Sequence, residues 1–251
     1  MKIALIGYGK MGRTIEAMGK KQGHDFPLII DEHNPGDLHA GNLNKIDAAI
    51  EFSTPSAAPG NIKACLELGT PVVSGTTGWN EEFSEIEKVC KENHGSFFHA
   101  SNFSIGVNIL FAMNRQLARI MDRFPDYTAS MEEVHHIQKL DAPSGTAISL
   151  AEQILEESHR LSSWRLQQEE PPRDLSRVKP VEHQSEVLPI RAIREGEVKG
   201  MHSLIYESEV DRISLIHEAK SRDAFAAGAL LAAEFVQGKK GVYGMSDLLT
   251  L

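Results

Sequence analysis

The stretch that decides the fold is Lys2-Ile3-Ala4-Leu5-Ile6-Gly7-Tyr8-Gly9-Lys10-Met11-Gly12. Residues 2–6 are a short, mostly apolar run that stops at a glycine, as a strand buried on both faces does. Residues 11–20 then read as a helix. Gly7, Gly9 and Gly12 fit G-x-G-x-x-G, a pattern that is weak alone and informative between a strand and a helix. Gly7 allows the tight turn, Gly9 lets a pyrophosphate approach the backbone, and Gly12 lets helix and strand sit close. Free N–H groups at the helix start face the phosphates. The plain alternative is a tight strand–helix turn with no ligand, and the context favours the dinucleotide.

Further strands are expected at residues 26–30, 46–52, 71–74 and 96–100, with helices at 61–68 and 81–92. Such alternation indicates a parallel α/β sheet of Rossmann type. Ser53-Thr54-Pro55 reads as a helix-start signal. Asp31 ends the second strand, where the acidic partner of the adenosine ribose belongs. Asp31 and Glu32 together repel a 2′-phosphate and no Arg follows them, although Lys10 and His33 are near in sequence. NADH is therefore the expected preference, with NADPH tolerated.

After residue 104 the pattern changes. Helices are expected at 107–121 and 144–161, a strand at 127–136, and further strands at 187–193, 202–208 and 212–217. Strands in succession suggest a mixed or antiparallel sheet, hence an α+β second domain. Residues 162–186 are polar, contain Pro171-Pro172, and read as a long exposed segment without assigned function. A last helix, 223–236, is apolar on nearly every side and must be buried. The expected division is a dinucleotide-binding domain over 1–103, a substrate and oligomerisation domain over 104–217, and a C-terminal return to the first domain over 218–251.

The chain has 251 residues, of which 41% are hydrophobic and 24% charged, enough for a substantial core without disulfides or a structural metal. Its two cysteines, Cys65 and Cys90, read as buried free thiols, which suits a reducing compartment. The first residues lack the apolar core and cleavage site of a signal peptide. No apolar run approaches the ~18 residues of a membrane span. A net charge of −9 argues against a general nucleic-acid binder. The expected setting is cytoplasmic, with no membrane or nucleic-acid partner.

The densest chemistry lies in His135-His136-Ile137-Gln138-Lys139-Leu140-Asp141-Ala142-Pro143-Ser144-Gly145-Thr146. A helix beginning near Ser144, Gly145 and Thr146 offers free N–H groups, hydroxyls and a positive dipole end, a ready carboxylate site. Lys139 adds a cation, and a histidine moves protons near neutral pH. The set suits an anionic substrate protonated as it is reduced. Adjacent histidines on a regular strand point to opposite faces, so only one faces the site unless the strand ends there. Asp141 or Ser144 also reads as a simple helix cap. No third ligand at a recognisable spacing supports a metal, and none is expected.

His135 to Thr146, continued by Ala147, resembles the signature of the 4-hydroxy-tetrahydrodipicolinate (dihydrodipicolinate) reductase family of the lysine pathway. Gly7 to Gly12 resembles its cofactor loop, and Gly75-Thr76-Thr77-Gly78 its second cofactor segment near the nicotinamide. Ala100-Ser101-Asn102-Phe103-Ser104 is similar to its hinge into the substrate domain, and His217 to Arg222, Phe225 and Gly228-Ala229 also fit. The resemblance implies hydride transfer to C4 of a cyclic dicarboxylated imine, with His135 and Lys139 as acid/base pair. It implies that His136, Ser144, Gly145 and Thr146 bind substrate. Tyr8, Lys10, Met11, Ser53, Thr76, Thr77 and residues 100–103 join the glycines and Asp31 around the cofactor. It also implies a homotetramer built through the substrate-domain sheets. Lys10 stands where many relatives have Arg, Phe52-Ser53-Thr54-Pro55 lacks an Arg that some carry after the Thr, and Ile137 and Gln138 replace polar or basic residues. The competing expectations are an amino-acid dehydrogenase, which lacks this arrangement, and a cofactor-binding sensor, which needs neither His135 nor Lys139.

Overall fold

The computed structural model describes residues 1–167, 186–221 and 223–250. In chain order it contains β1 (Lys2–Ile6), α1 (Lys10–Lys21), β2 (Asp25–Ile30), α2 (Ala40–Leu43), β3 (Ala48–Glu51), α3 (Ala58–Glu67), β4 (Val72–Ser74) and α4 (Phe83–Glu92). There follow β5 (Ser96–His99), α5 (Ile105–Met121), β6 (Thr128–His135), α6 (Gly145–Glu157), β7 (Ser163–Gln167), β8 (Val187–Arg194), β9 (Met201–Glu207) and β10 (Arg212–Glu218). The chain closes with α7 (Asp223–Phe235), β11 (Gly241–Tyr243) and α8 (Met245–Leu249).

Two compact units emerge: Met1–Asn108 with Asp223–Leu251, and Ile109–Arg222. The first holds a six-stranded sheet in the order β11-β5-β4-β3-β1-β2, parallel throughout. Its strands are buried on both faces, as the apolar runs require. On β1, Ile3 and Leu5 face a layer with Ala226, Ala229 and Leu230 of α7. Ala4 and Ile6 face the opposite layer, with Ile62 and Leu66 of α3 and Ile86 of α4. The alternation follows from the two-residue period of a strand. Gly228 is what lets α7 approach so closely: a β-carbon there would fall 1.8 Å from the Phe103 carbonyl oxygen.

The second unit holds a five-stranded mixed sheet, β10-β9-β6-β8-β7, antiparallel across β10, β9 and β6 and parallel across β6, β8 and β7. Met131, Ile190 and Leu204 from this sheet share a core with Leu110 of α5 and Leu150 and Ile154 of α6.

Several elements differ from the expectations. Ser163–Gln167 forms β7 inside the segment read as exposed, because Trp164 and Leu166 alternate with polar neighbours and pair with β8; residues 168–185 of that segment lie outside the described residues. The sixth parallel strand, β11, has only three residues and is ordered by pairing with β5. Helix α6 ends at Glu157, where Ser158 turns extended and its hydroxyl donates to Asp122 at 2.8 Å. Ser53-Thr54-Pro55 does not start a helix; α3 begins at Ala58, and Ser53 bonds elsewhere. Cys65 and Cys90 are both buried free thiols, and burial pushes the Cys65 thiol up to about 12. Among the described residues no helix is long and apolar enough to cross a membrane.

Candidate active site

In the first unit, every segment expected at the cofactor follows the carboxyl end of a parallel strand. Gly7 follows β1, Asp31 β2, Ser53 β3, Gly75 to Thr77 β4, and Ala100 to Phe103 β5. The chain turns to opposite sides of the sheet at β1 and β3, the place where an open α/β sheet leaves a crevice. Gly7, at φ +94°, would place a β-carbon 2.1 Å from the Phe52 carbonyl oxygen, so only glycine lets β1 and β3 end side by side. A β-carbon on Gly12 would lie 2.3 Å from the Gly7 oxygen. On Gly9 it would meet nothing within 4 Å. Gly9 caps α1 without a side-chain hydrogen bond, and no acidic residue occupies the first turn. The result is an open, positive helix end, which fits a dinucleotide pyrophosphate.

Other cofactor candidates work from behind. Glu51 is fully buried and accepts from Ser53 N at 2.9 Å, Ser74 Oγ at 2.6 Å, Thr76 Oγ1 at 2.9 Å, and the Ser53 hydroxyl. It ties the loops after β3 and β4 together, so the hydroxyls of Ser53 and Thr76 are committed inward, while Thr77 is exposed. Phe103 is a core side chain against Phe52 and Phe98. Ser101 is exposed, and Asn102 Oδ1 accepts from Ser104 N. Tyr8 bonds Glu16 and carries Arg13 over its ring at 4.6 Å, while Met11 packs on the core and Lys10 is exposed. Asp31 accepts from His33 N at 2.9 Å, beside the exposed Glu32.

The second unit gathers the other candidates. His135 is the last residue of β6 and His136 lies just beyond it, so strand alternation does not govern the pair. Lys139 Nζ donates to Asp141 Oδ2 at 2.9 Å, and that ammonium holds the Asp141 carboxyl below its usual range. The Ala142–Pro143 peptide is cis. Ser144 is 3% exposed and is the N-cap of α6: its Oγ accepts from Ala147 N at 3.2 Å and lies 3.1 Å from His202 Nε2. Its hydroxyl is thus spent on the helix and on His202. Gly145 is exposed, a β-carbon there would meet nothing within 4 Å, and Thr146 is half-buried. Their N–H groups fall in the first helical turn, which has no intrahelical acceptors.

Behind this turn lies a group that spacing alone does not predict. Glu133, on the same face of β6 as His135, is fully buried, and its Oε1 accepts from Arg194 at 3.0 Å. Ser144 N donates to both its oxygens, at 3.1 and 3.0 Å. Arg194 also donates to the carbonyls of Lys139 and Asp141, anchoring the loop that carries Lys139. The register opposes Glu133 to His202 and His135 to Arg194. Glu133, His135 and His202 bring ligand-type atoms within 4.8 Å of one another. Arg194 supplies the charge that compensates Glu133, and the two histidines stand at ion-pair distance from the same carboxylate, at 3.5 and 3.8 Å. Burial lowers the His135 imidazolium pKa, and the Glu133 charge opposes that effect. Signals for the buried carboxylates do exist: Glu51 ends an otherwise apolar strand, and Glu133 falls on the apolar phase of β6.

Comparison with known proteins covers nearly the whole chain. Residues 1–103 match the family described as dihydrodipicolinate reductase, N-terminus, and residues 106–249 that described as its C-terminus. The 4-hydroxy-tetrahydrodipicolinate reductase of Christiangramia forsetii is 44% identical over 100% of this chain and 98% of its own. The protein of the same name from Methanopyrus kandleri is 39% identical over 95% of this chain and 86% of its own. A dipicolinate-bound dihydrodipicolinate reductase from Paenisporosarcina sp. TG-14 shares the fold, with a TM-score of 0.74 at 23% identity over 98% of this chain and 99% of its own.

Proposed function

The chain belongs to the dihydrodipicolinate reductase family, and from that premise we propose that it reduces 4-hydroxy-tetrahydrodipicolinate, via dihydrodipicolinate, to tetrahydrodipicolinate with NAD(P)H. The product serves the diaminopimelate route to lysine. The observation that carries this reading is the convergence of His135, Lys139 and the open first turn of α6 in one unit of a chain whose two halves both match the family.

The nicotinamide supplies the hydride, delivered to C4 of the substrate. The loop from Gly7 to Gly12 holds the pyrophosphate on the α1 terminus, and Asp31 takes the adenosine ribose. Thr77 and Ser101, exposed after β4 and β5, line the nicotinamide end, with Ser53, Gly75, Thr76, Ala100, Asn102 and Phe103 shaping it. In the second unit, the Gly145 and Thr146 N–H groups and the Thr146 hydroxyl hold one substrate carboxylate. Lys139 gives up Asp141 to face the anion, His136 binds substrate, and His135 with Lys139 moves the proton that accompanies the hydride. Ser144 acts through the helix cap.

NADH is the preferred donor in this reading, supported by Asp31 and Glu32 beside the ribose position. The protein works as a homotetramer joined through the second-unit sheet, supported by Ile216 on edge strand β10, which is 59% exposed; sedimentation at equilibrium tests that mass. The decisive assay follows NADH and NADPH oxidation while pyruvate, aspartate semialdehyde and the coupling synthase generate substrate freshly. Turnover is expected with NADH favoured. A folded protein that binds NADH but turns over with neither donor would overturn the assignment.

A further inference from the structure

We propose that Glu133 is a positioning residue for the reduction: one buried carboxylate orients the His135 ring through Nδ1 and sets the first turn of α6 through Ser144 N–H. The proposal rests on the reading above, in which His135 moves a proton and α6 holds a substrate carboxylate.

The geometry narrows the possibilities. Glu133 has no exposed surface, and a buried carboxylate is tolerated as an anion only when paired and hydrogen-bonded. Arg194 and Ser144 N–H meet that condition, helped by the positive end of α6. An ionised carboxylate only accepts hydrogen bonds. His135 Nδ1 is buried, makes no hydrogen bond, and has Glu133 Oε2 at 3.5 Å, ion-pair distance, so the tautomer that suits the pair carries its proton on Nδ1. Nε2 is then the nitrogen free to exchange a proton. On that side lies Gly200, where a β-carbon would sit 3.1 Å from Nε2; glycine keeps this nitrogen uncovered.

His202 is the apparent competitor, with Nε2 3.8 Å from the same carboxylate oxygen. Its Nε2 is closer to the Ser144 hydroxyl, at 3.1 Å, and that hydroxyl already accepts from Ala147 N. Ser144 keeps its own proton available for His202 Nε2, and this nearer partner engages His202 in place of Glu133, leaving the carboxylate to His135. Logic of this kind recurs wherever a carboxylate fixes the tautomer of a proton-moving imidazole. Here the same carboxylate also fixes the anion-binding turn, so proton and substrate positions are set by one group.

The charged and titratable groups around His135 are Glu133 on its own strand, Arg194 on β8, and His202 on β9 with His217 behind it on β10. Lys139 and Asp141 face it from the loop. Glu133 and Asp141 raise the His135 pKa, and Lys139 and Arg194 lower it. Removing the Glu133 charge should therefore move the His135-dependent limb of the kcat profile about one pH unit toward acid.

Long-range 1H–15N NMR of the histidine rings in the full-length wild-type protein is the first test, and it needs no variant. A proton on Nδ1 of His135 is expected; a proton on Nε2 with bare Nδ1 would overturn the proposal. Glu133→Gln then separates positioning from stability. kcat should fall ~10–100-fold with the acid-shifted limb, while NADH affinity stays unchanged. Glu133→Asp, which retains the charge, should restore the limb. A Glu133→Gln protein with lowered Tm but wild-type kcat and pH profile would show that Glu133 only stabilises. Parallel assay of His135→Gln keeps the two readings apart. Wild-type kcat in that variant would remove the proton-transfer role and with it the catalytic part of this proposal. Impaired His135→Gln beside unimpaired Glu133→Gln would overturn the positioning role alone.

Discussion

The Ser144 hydroxyl and Nε2 of His202 lie 3.1 Å apart, joining the cap of α6 to strand β9 of the second sheet across 58 residues of chain. Burial, and then the neighbouring His135, lowers the His202 pKa from 6.5 to about 4. Below pH 6.5 the unfolded chain takes a proton that folded His202 refuses, so stability is full above pH 6.5 and is lost progressively down to about pH 4. The loss from this residue amounts to at most ~3 kcal/mol. Calorimetric Tm values should fall across that window. His202→Asn should flatten the fall, and an unchanged slope would mean that other groups carry it.

His135→Gln and Lys139→Ala should each lower kcat ~100-fold or more, because in the proposed mechanism both act as the proton moves. Thr146→Val should instead raise KM with kcat nearly kept, since its hydroxyl serves binding. Steady-state kinetics on all three variants separates the roles, and a pure KM effect at Lys139 would reassign it to binding.

Gly9→Ala and Gly12→Ala should part company. The first adds a methyl to open space, so Tm should hold while NADH affinity falls by ~10-fold or more, the methyl standing where the pyrophosphate approaches. The second forces a carbon against the Gly7 carbonyl oxygen at 2.3 Å and should lower both Tm and affinity. Fluorescence titration and thermal melting read the two effects independently.

Asp31→Asn should shift the ratio of kcat/KM for NADH over NADPH by ~10-fold toward NADPH, the worth of one hydrogen bond to a charged group. An unmoved ratio would place the ribose contact elsewhere.

Much of the first unit was legible because each local signal agreed with its context. Residues 2–12 state strand, turn and helix in order, and the glycines at 7 and 12 are demanded by backbone contacts closer than a side chain allows. The segment from His135 to Thr146 stood out as a candidate site through residue type alone. The short elements were less visible: β11 has three residues and β7 five, and neither is a strand without a neighbour to pair with.

By itself, then, the chain's order of residues determined the two sheet types, the glycine turn after β1 and the family, since these rest on periodicity and on motifs that are contiguous. Only tertiary structure decided that Glu51 gathers the loops after β3 and β4, and that Glu133, Arg194 and His202 stand behind His135. It also showed that Ser144 turns its hydroxyl inward. Glu51 reaches Ser74 across 23 residues, and Glu133 reaches Arg194 across 61. Strand register brings them together, and register is set by the burial of whole sheet faces, a property of the folded chain that no local stretch contains.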